Sequence, residues 1–227
     1  MNIFLEEPVM KKGFFSIIIT MGVILSVLFL NSDINPAQTT YAATDLRDGI
    51  TVENEYIIPD SCGFSTYYVL VATNNTGKDI SVDAKFMAKD NAGNQLYKVS
   101  DQHEAVRDGQ KFIVYGQFAN SRIAGVSGYE YTLNATPTDR CAYNSVKVDA
   151  QRNGELVQVS ATNYSDKDIQ GVGVRTVFLK DGQAVAFDTV NIADEGITFH
   201  GGSNNFQEVG MFAGNYDDYL LTYTSVQ

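Results

Sequence analysis

Few residues in this chain have the types and spacing that chemistry would need. There are two histidines, His103 in Asp101-Gln102-His103-Glu104 and His200 in Phe199-His200-Gly201-Gly202-Ser203. A hydrolytic triad requires a Ser or Cys nucleophile, a His base and an acid to orient it. Gly125-Val126-Ser127-Gly128 runs on into Tyr129 and so lacks the Gly-x-Ser-x-Gly spacing of a nucleophile elbow. His200-Gly201-Gly202 resembles the oxyanion loop of some esterases, but no helix-rich α/β framework surrounds it, and both histidines read as loop residues. Asp188, Asp194 and Glu195 lie close in sequence, as do Asp217 and Asp218. Calcium needs six or more oxygens around one point, and Asp90-Asn91-Ala92-Gly93-Asn94 has neither the order of an EF-hand loop nor its distant Glu. These acids read as solvated turns, with a weak calcium site built from several loops as the alternative. The Asn-x-Ser/Thr triplets at Asn74, Asn134 and Asn163 read as turn preferences. No catalytic, cofactor-binding or metal-binding residue is assigned, and no cofactor is expected.

Charge excludes other functions. The net charge of −11 opposes nucleic-acid binding, which needs clustered Lys and Arg, and opposes docking on anionic lipid. Tyr and Phe number 13 each and Trp is absent, which weakens a sugar-stacking surface without removing it. Most of these rings fall at alternating positions, as core residues do.

The elements that must position any site begin after a leader. Phe14–Leu30 is an uncharged apolar stretch preceded by Lys11 and Lys12. A basic start, an apolar core and a small-residue site near Thr40-Tyr41-Ala42 predict a signal helix over 1–42, cleaved before Ala43 or one residue later. The rival is an uncleaved N-terminal anchor, which would be the chain's one tie to a membrane. Both place the remainder outside the cytoplasm, secreted or at the outer face of the membrane or wall.

An internal repeat follows. Ala72-Thr73-Asn74-Asn75-Thr76-Gly77-Lys78-Asp79-Ile80 aligns with Ala161-Thr162-Asn163-Tyr164-Ser165-Asp166-Lys167-Asp168-Ile169, six of nine positions being identical. Phe86–Asp90 matches Phe178–Asp181, and Tyr129–Leu133 matches Tyr219–Tyr223. One repetition at this period means two copies of a small domain. Their expected limits are 43–136 and 141–227, joined by the polar stretch Thr136–Arg140. Alternating runs around Asn153-Gly154 and Asp181-Gly182 predict hairpins whose central residues take positive φ. About six strands per copy, with frequent turn signals, define an all-β protein: two tandem immunoglobulin-like β-sandwiches behind the leader.

The pattern A-T-N-x-[TS]-x-K-D-I, then F-x-x-K-D-x-x-G or F-L-K-D-G, then a strand ending in Tyr, resembles the FxLYD-type immunoglobulin-like domains of secreted bacterial proteins. Lys89 and Lys180 stand before the Asp where the family has its Tyr. The resemblance spans both copies and implies a fold and an extracellular location. It carries no activity.

Two further expectations concern contacts. An exported chain with two cysteines favours a disulfide between Cys62 and Cys141, which would stabilise by roughly 4 kcal/mol and tie the copies together. The copies also differ. Val157, Val159 and Ala161 point inward and leave Leu156, Gln158 and Ser160 outside, whereas inward Tyr68, Leu70 and Ala72 leave Tyr67, Val69 and Val71 on the other face. Ile113 and Tyr115 extend that second apolar face. Something must cover it: the first strand near Ile50–Ile58, the second copy, or a partner. Tyr67, Val69, Val71, Ile113 and Tyr115 are therefore the candidate interaction face. The expected function is non-catalytic binding or adhesion at a bacterial surface, to an unknown protein or glycan. The alternatives are an exported hydrolase of wall or extracellular polymers and a secreted enzyme inhibitor.

Overall fold

The structure, a computed structural model, describes residues 39–42 and 49–227. The apolar leader Phe14–Leu30 lies outside them. Among the described residues there is no α-helix beyond two short 3-10 turns, at Asn120–Arg122 and Tyr143–Ser145. No helix among them is long and apolar enough to cross a membrane.

The chain forms two β-sandwiches in tandem. Strand β1 (Thr39–Ala42) precedes the first, which comprises β2 (Ile50–Pro59), β3 (Ser65–Asn74), β4 (Ile80–Lys89), β5 (Gln95–Val106), β6 (Lys111–Ala119) and β7 (Gly128–Pro137). The second comprises β8 (Val146–Asn153), β9 (Leu156–Asn163), β10 (Ile169–Gln170), β11 (Val172–Lys180), β12 (Gln183–Ile192), β13 (Thr198–Phe199), β14 (Asn204–Val209) and β15 (Asp218–Thr224). Sheet β2-β3-β6 packs on β7-β4-β5 in the first; β8-β9-β14 packs on β15-β11-β12 in the second. The strand plan is the same in both: β2-β3 and β4-β5, like β8-β9 and β11-β12, pair as hairpins within a sheet, and the connections between these hairpins and to the last strands cross between sheets, as in immunoglobulin-like folds. β1 adds parallel to the edge of β7, pairing Thr39–Ala42 with Gly128–Tyr131. The backbone groups of an open edge invite such an addition. The pairing therefore falls on residues assigned to the leader from sequence, immediately before its expected cleavage point.

Period-two alternation builds both cores. Tyr68, Leu70 and Ala72 of β3 meet Val82, Ala84 and Phe86 of β4 and Tyr129 and Tyr131 of β7. Val157, Val159 and Ala161 of β9 meet Val172, Val174 and Phe178 of β11. Fully burying each large side chain contributes roughly 1.5–3 kcal/mol.

A third core lies between the sandwiches. Ile58, Val69, Val71 and Ile113 pack against Val177 and Phe187, with Tyr56, Tyr67, Tyr115, Leu179, Ala184 and Leu220 around them. The outer face of β2-β3-β6 is thus covered by the outer face of β12-β11-β15. The first strand does not cover that face. β2 pairs with β3 inside the same sheet and widens it with Ile58 and Tyr56.

Candidate functional site

The candidate interaction face is an internal contact. Val69, Val71 and Ile113 are fully buried, and Tyr67 and Tyr115 are half-buried at its margin. The second copy supplies the cover through Val177, Leu179 and Leu220, which stand outward on β11 and β15. Val177-Phe178-Leu179 and Leu220-Leu221 break strict alternation in the sequence, and that break was the signal for a second apolar face in copy two.

A polar cluster fixes one side of this contact. The Arg175 guanidinium holds the Asp101 carboxylate through both terminal nitrogens, and one of them donates to the Ile113 carbonyl at 2.7 Å. It also lies over the Tyr115 ring, 4.8 Å from the centroid. Both charged groups are largely buried, where removing one partner leaves the other uncompensated. His103 is buried beside them, with Nε2 2.5 Å from the Ile113 carbonyl and Nδ1 3.3 Å from the Thr224 hydroxyl. The carbonyl can only accept, so Nε2 carries the proton and Nδ1 accepts from Thr224. Burial, helped by Arg175, lowers the His103 pKa to about 4. Gln110 Nε2 donates to the Tyr223 carbonyl at 2.6 Å, a further bond between the copies.

His200 belongs to a structural turn that the repeat explains. Asn74 and Asn163 are completely buried hubs. Asn74 Nδ2 reaches the carbonyls of Lys78, Val106 and Arg107 at 2.8, 3.1 and 3.0 Å; Asn163 Nδ2 reaches those of Lys167, Phe199 and His200 at 2.9, 3.2 and 3.1 Å. Asn74 Oδ1 accepts from the Thr76 hydroxyl, and Asn163 Oδ1 from that of Ser165, each at 2.7 Å. Gly109 N–H donates to the Asn74 carbonyl and Gly202 N–H to the Asn163 carbonyl. His200 therefore occupies the place of Arg107, and Gly201-Gly202 that of Asp108-Gly109. Asp168 accepts from Gly201 N–H as Asp79 does from Asp108 N–H, and it lies 3.2 Å from His200 Nδ1. Among the described residues no hydroxyl or thiol meets the other ring nitrogen of His200. The Asn-x-Ser/Thr triplets at Asn74 and Asn163 therefore carry more than turn preference: each places a buried amide whose oxygen accepts from the Thr or Ser two residues on, while the third triplet, at Asn134, has no such hub among the described residues.

The cysteines are not bonded to one another. Cys62 is exposed in the turn before β3, where Asp60 N–H donates to the Ser65 carbonyl. Cys141 is half-buried, bridged in sheet fashion to Val226 and close to Asp79 beyond the far end of β3. The ten residues of β3 span about 30 Å, whereas a disulfide needs Cα atoms within about 7 Å. This corrects the expected Cys62–Cys141 bridge, which followed from compartment alone. Burial raises the Cys141 thiol pKa. Among the described residues no group of three metal-ligating side chains converges.

Where the interdomain contact ends, it opens into a cleft of about 240 Å³. Its walls come from both copies: Ile58 to Cys62, Phe64 and Tyr67 from the first; Phe178, Val185 to Asp188, Gly210, Phe212 and Ala213 from the second. Phe187 contacts Tyr67 and Tyr115, with centroids 5.4 and 4.7 Å apart, and closes the floor. Phe64, Phe212 and neighbouring Met211 are 77%, 69% and 74% exposed. Gly210 holds φ at +96°, and a Cβ there would sit 2.8 Å from the Phe178 ring, so the loop bearing Met211 and Phe212 requires glycine.

No family model matches this chain, and no curated protein does. Among solved structures it is similar to a transglutaminase from red sea bream, at 11% identity over 77% of this chain and 29% of that one, with a TM-score of 0.25. It is also similar to the C-terminal globular domain of an oligosaccharyltransferase from Pyrococcus abyssi, at 15% identity over 72% of this chain and 41% of that one, with a TM-score of 0.24. The chain spans less than half the length of either structure. Likeness at this level carries no argument about activity, and the sandwich assignment rests on the strand pairing described above.

Proposed function

We propose that this chain is a non-catalytic binding protein, exported to the cell surface or envelope, that docks its ligand at the cleft between the two sandwiches. One observation carries the reading. The apolar surface between the copies is satisfied internally except at this end, where Phe64, Val185 and Phe212 stand exposed around a concave opening. Contiguous exposed apolar groups around a concavity characterise interaction sites. The contact behind the cleft, with its buried Arg175–Asp101 pair, holds the two walls in fixed relation, and a pre-organised surface loses less entropy on binding. The basic and apolar leader supports export. The hydrolase alternative loses its main support, because the His200 turn has a counterpart without histidine in copy one.

A photo-crosslinking side chain at Phe212, with a control at Gln158 on the outer face of β9, tests this on whole cells. Capture of a defined surface component from position 212 and not from 158 is expected. Equal capture from both, or conversion of labelled wall polymer that His200→Ala abolishes, would contradict it.

A further inference from the structure

The charge of the cleft narrows its occupant. Asp60 and Asp188 are the charged residues lining it, and among the described residues no Lys, Arg or His lines it. Neither carboxylate has an ion-pair partner among the described residues. Their oxygens accept single backbone N–H groups: Phe64 and Ser65 for Asp60, Thr189 and Gly210 for Asp188. A carboxylate has about four acceptor sites, so both keep lone pairs free. The two acids belong to different sandwiches yet line one cleft together with Tyr67. The Tyr67 phenol has its pKa raised first by burial, then by the charges of Asp60, Tyr115 and Asp188. A smaller hollow continues the cleft past Tyr67, Phe187 and Asp188. The site thus combines uncompensated negative charge with aromatic faces at Tyr67, Phe187 and Phe64, a combination that attracts a cation both by charge and by ring quadrupole. Arg175 over Tyr115 and Arg152 over Tyr216 show the same contact made internally, at 4.8 and 4.3 Å.

We infer that the cleft binds a polypeptide segment in which a Lys or Arg side chain is flanked by apolar anchors: the cation lies between Asp60 and Asp188, and the anchors pack on Phe64 and Phe212. The inference rests on the docking reading above and deepens it. An acidic or phosphorylated partner is disfavoured, because its charge would meet two unpaired carboxylates as well as the net −11 of the chain.

The test uses two synthetic probes, acetyl-Phe-Arg-Leu-Arg-Phe-amide and its acidic counterpart acetyl-Phe-Glu-Leu-Glu-Phe-amide, titrated into the exported chain and followed by NMR shifts. The cationic probe is expected to saturate at least tenfold more tightly, to shift Phe64, Tyr67 and Phe212, and to weaken with added salt. Asp60→Asn with Asp188→Asn keeps one acceptor oxygen at each turn and should weaken it about tenfold, while Phe212→Ser, on an exposed ring, should weaken both probes. Equal affinity for the two probes, or shifts confined to other surfaces, would overturn the cationic occupant. Whole-cell crosslinking separates this from the parent reading. Capture lost in Phe212→Ser but unchanged in the double Asn variant keeps a docking cleft and removes the cationic occupant. Capture unchanged in Phe212→Ser removes the docking cleft itself.

Discussion

The two sandwiches share their buried polar hubs and differ in which outer face is apolar. Asn74 and Asn163 sit at equivalent corners and make equivalent bonds with almost identical lengths. By contrast, Val69 on β3 is fully buried against the second copy, while its aligned residue, Gln158 on β9, lies on an outer face and bonds to Gln151. The hub is a requirement of each fold unit, so it recurs. The outer face is a requirement of assembly, so it appears once on each copy, on opposite sheets: β2-β3-β6 in the first and β12-β11-β15 in the second. Two similar units thereby pack through one apolar face each.

That comparison can be broken most severely at the hubs. Asn74→Asp or Asn163→Asp keeps the volume but cannot donate to three carbonyls, and each should cost about 3–5 kcal/mol in urea unfolding. The two costs should match. Unequal costs would mean the hubs are not equivalent. Next in size is the pair Val69→Lys and Gln158→Lys. The first buries a charge in the interdomain core and should cost about 3–4 kcal/mol, whereas the second should stay within about 0.5 kcal/mol. Equal small effects would return the Val69 face to the surface.

The inward set of β9 was legible directly, because alternation there is strict and a one-residue slip would turn every core side chain outward; that of β3, an unbroken apolar run, was legible only through the repeat that aligns it with β9. The sequence also showed the Asp181-Gly182 turn, where both residues do take positive φ, at 51° and 77°. At Asn153-Gly154 the loop is displaced by one residue. Asn153 pairs with Leu156, and Gly154 alone of the turn is positive, at 64°. The apolar face of copy one was legible, and the unbroken apolar steps Val177-Phe178-Leu179 and Leu220-Leu221 marked a second such face in copy two, but only the fold brings the two together. The cleft was not legible either. Its walls are remote in sequence, and exposed Phe64, Met211 and Phe212 look in sequence like any loop hydrophobics. The disulfide expectation failed for a related reason: compartment speaks to redox state but says nothing of the strand length that separates the thiols.

Smaller effects sharpen the contact between the copies. The His103 pKa is lowered from 6.5 to about 4 in the folded chain, so the unfolded chain binds the extra proton between those values. Stability from this site is complete above pH 6.5 and is lost as pH falls toward 4, on the order of 3 kcal/mol. Urea midpoints between pH 7 and 4 should fall for the wild type and fall less for His103→Gln. Parallel profiles would show that His103 is not enclosed by the contact. With no effect on stability, alkylation of the folded protein should label Cys62 quickly and Cys141 slowly. A mass two hydrogens short without reduction would restore the bridge.

The central claim is that the second copy covers the Val69 face of the first. Methyl-to-methyl nuclear Overhauser effects in the full chain test it most directly. The account predicts cross-peaks linking Val69, Val71 and Ile113 with Val177, Leu179 and Leu220, and protection of those methyls from a soluble paramagnetic agent. Absence of the cross-peaks, with the Val69 and Val71 methyls broadened by the agent, would contradict it.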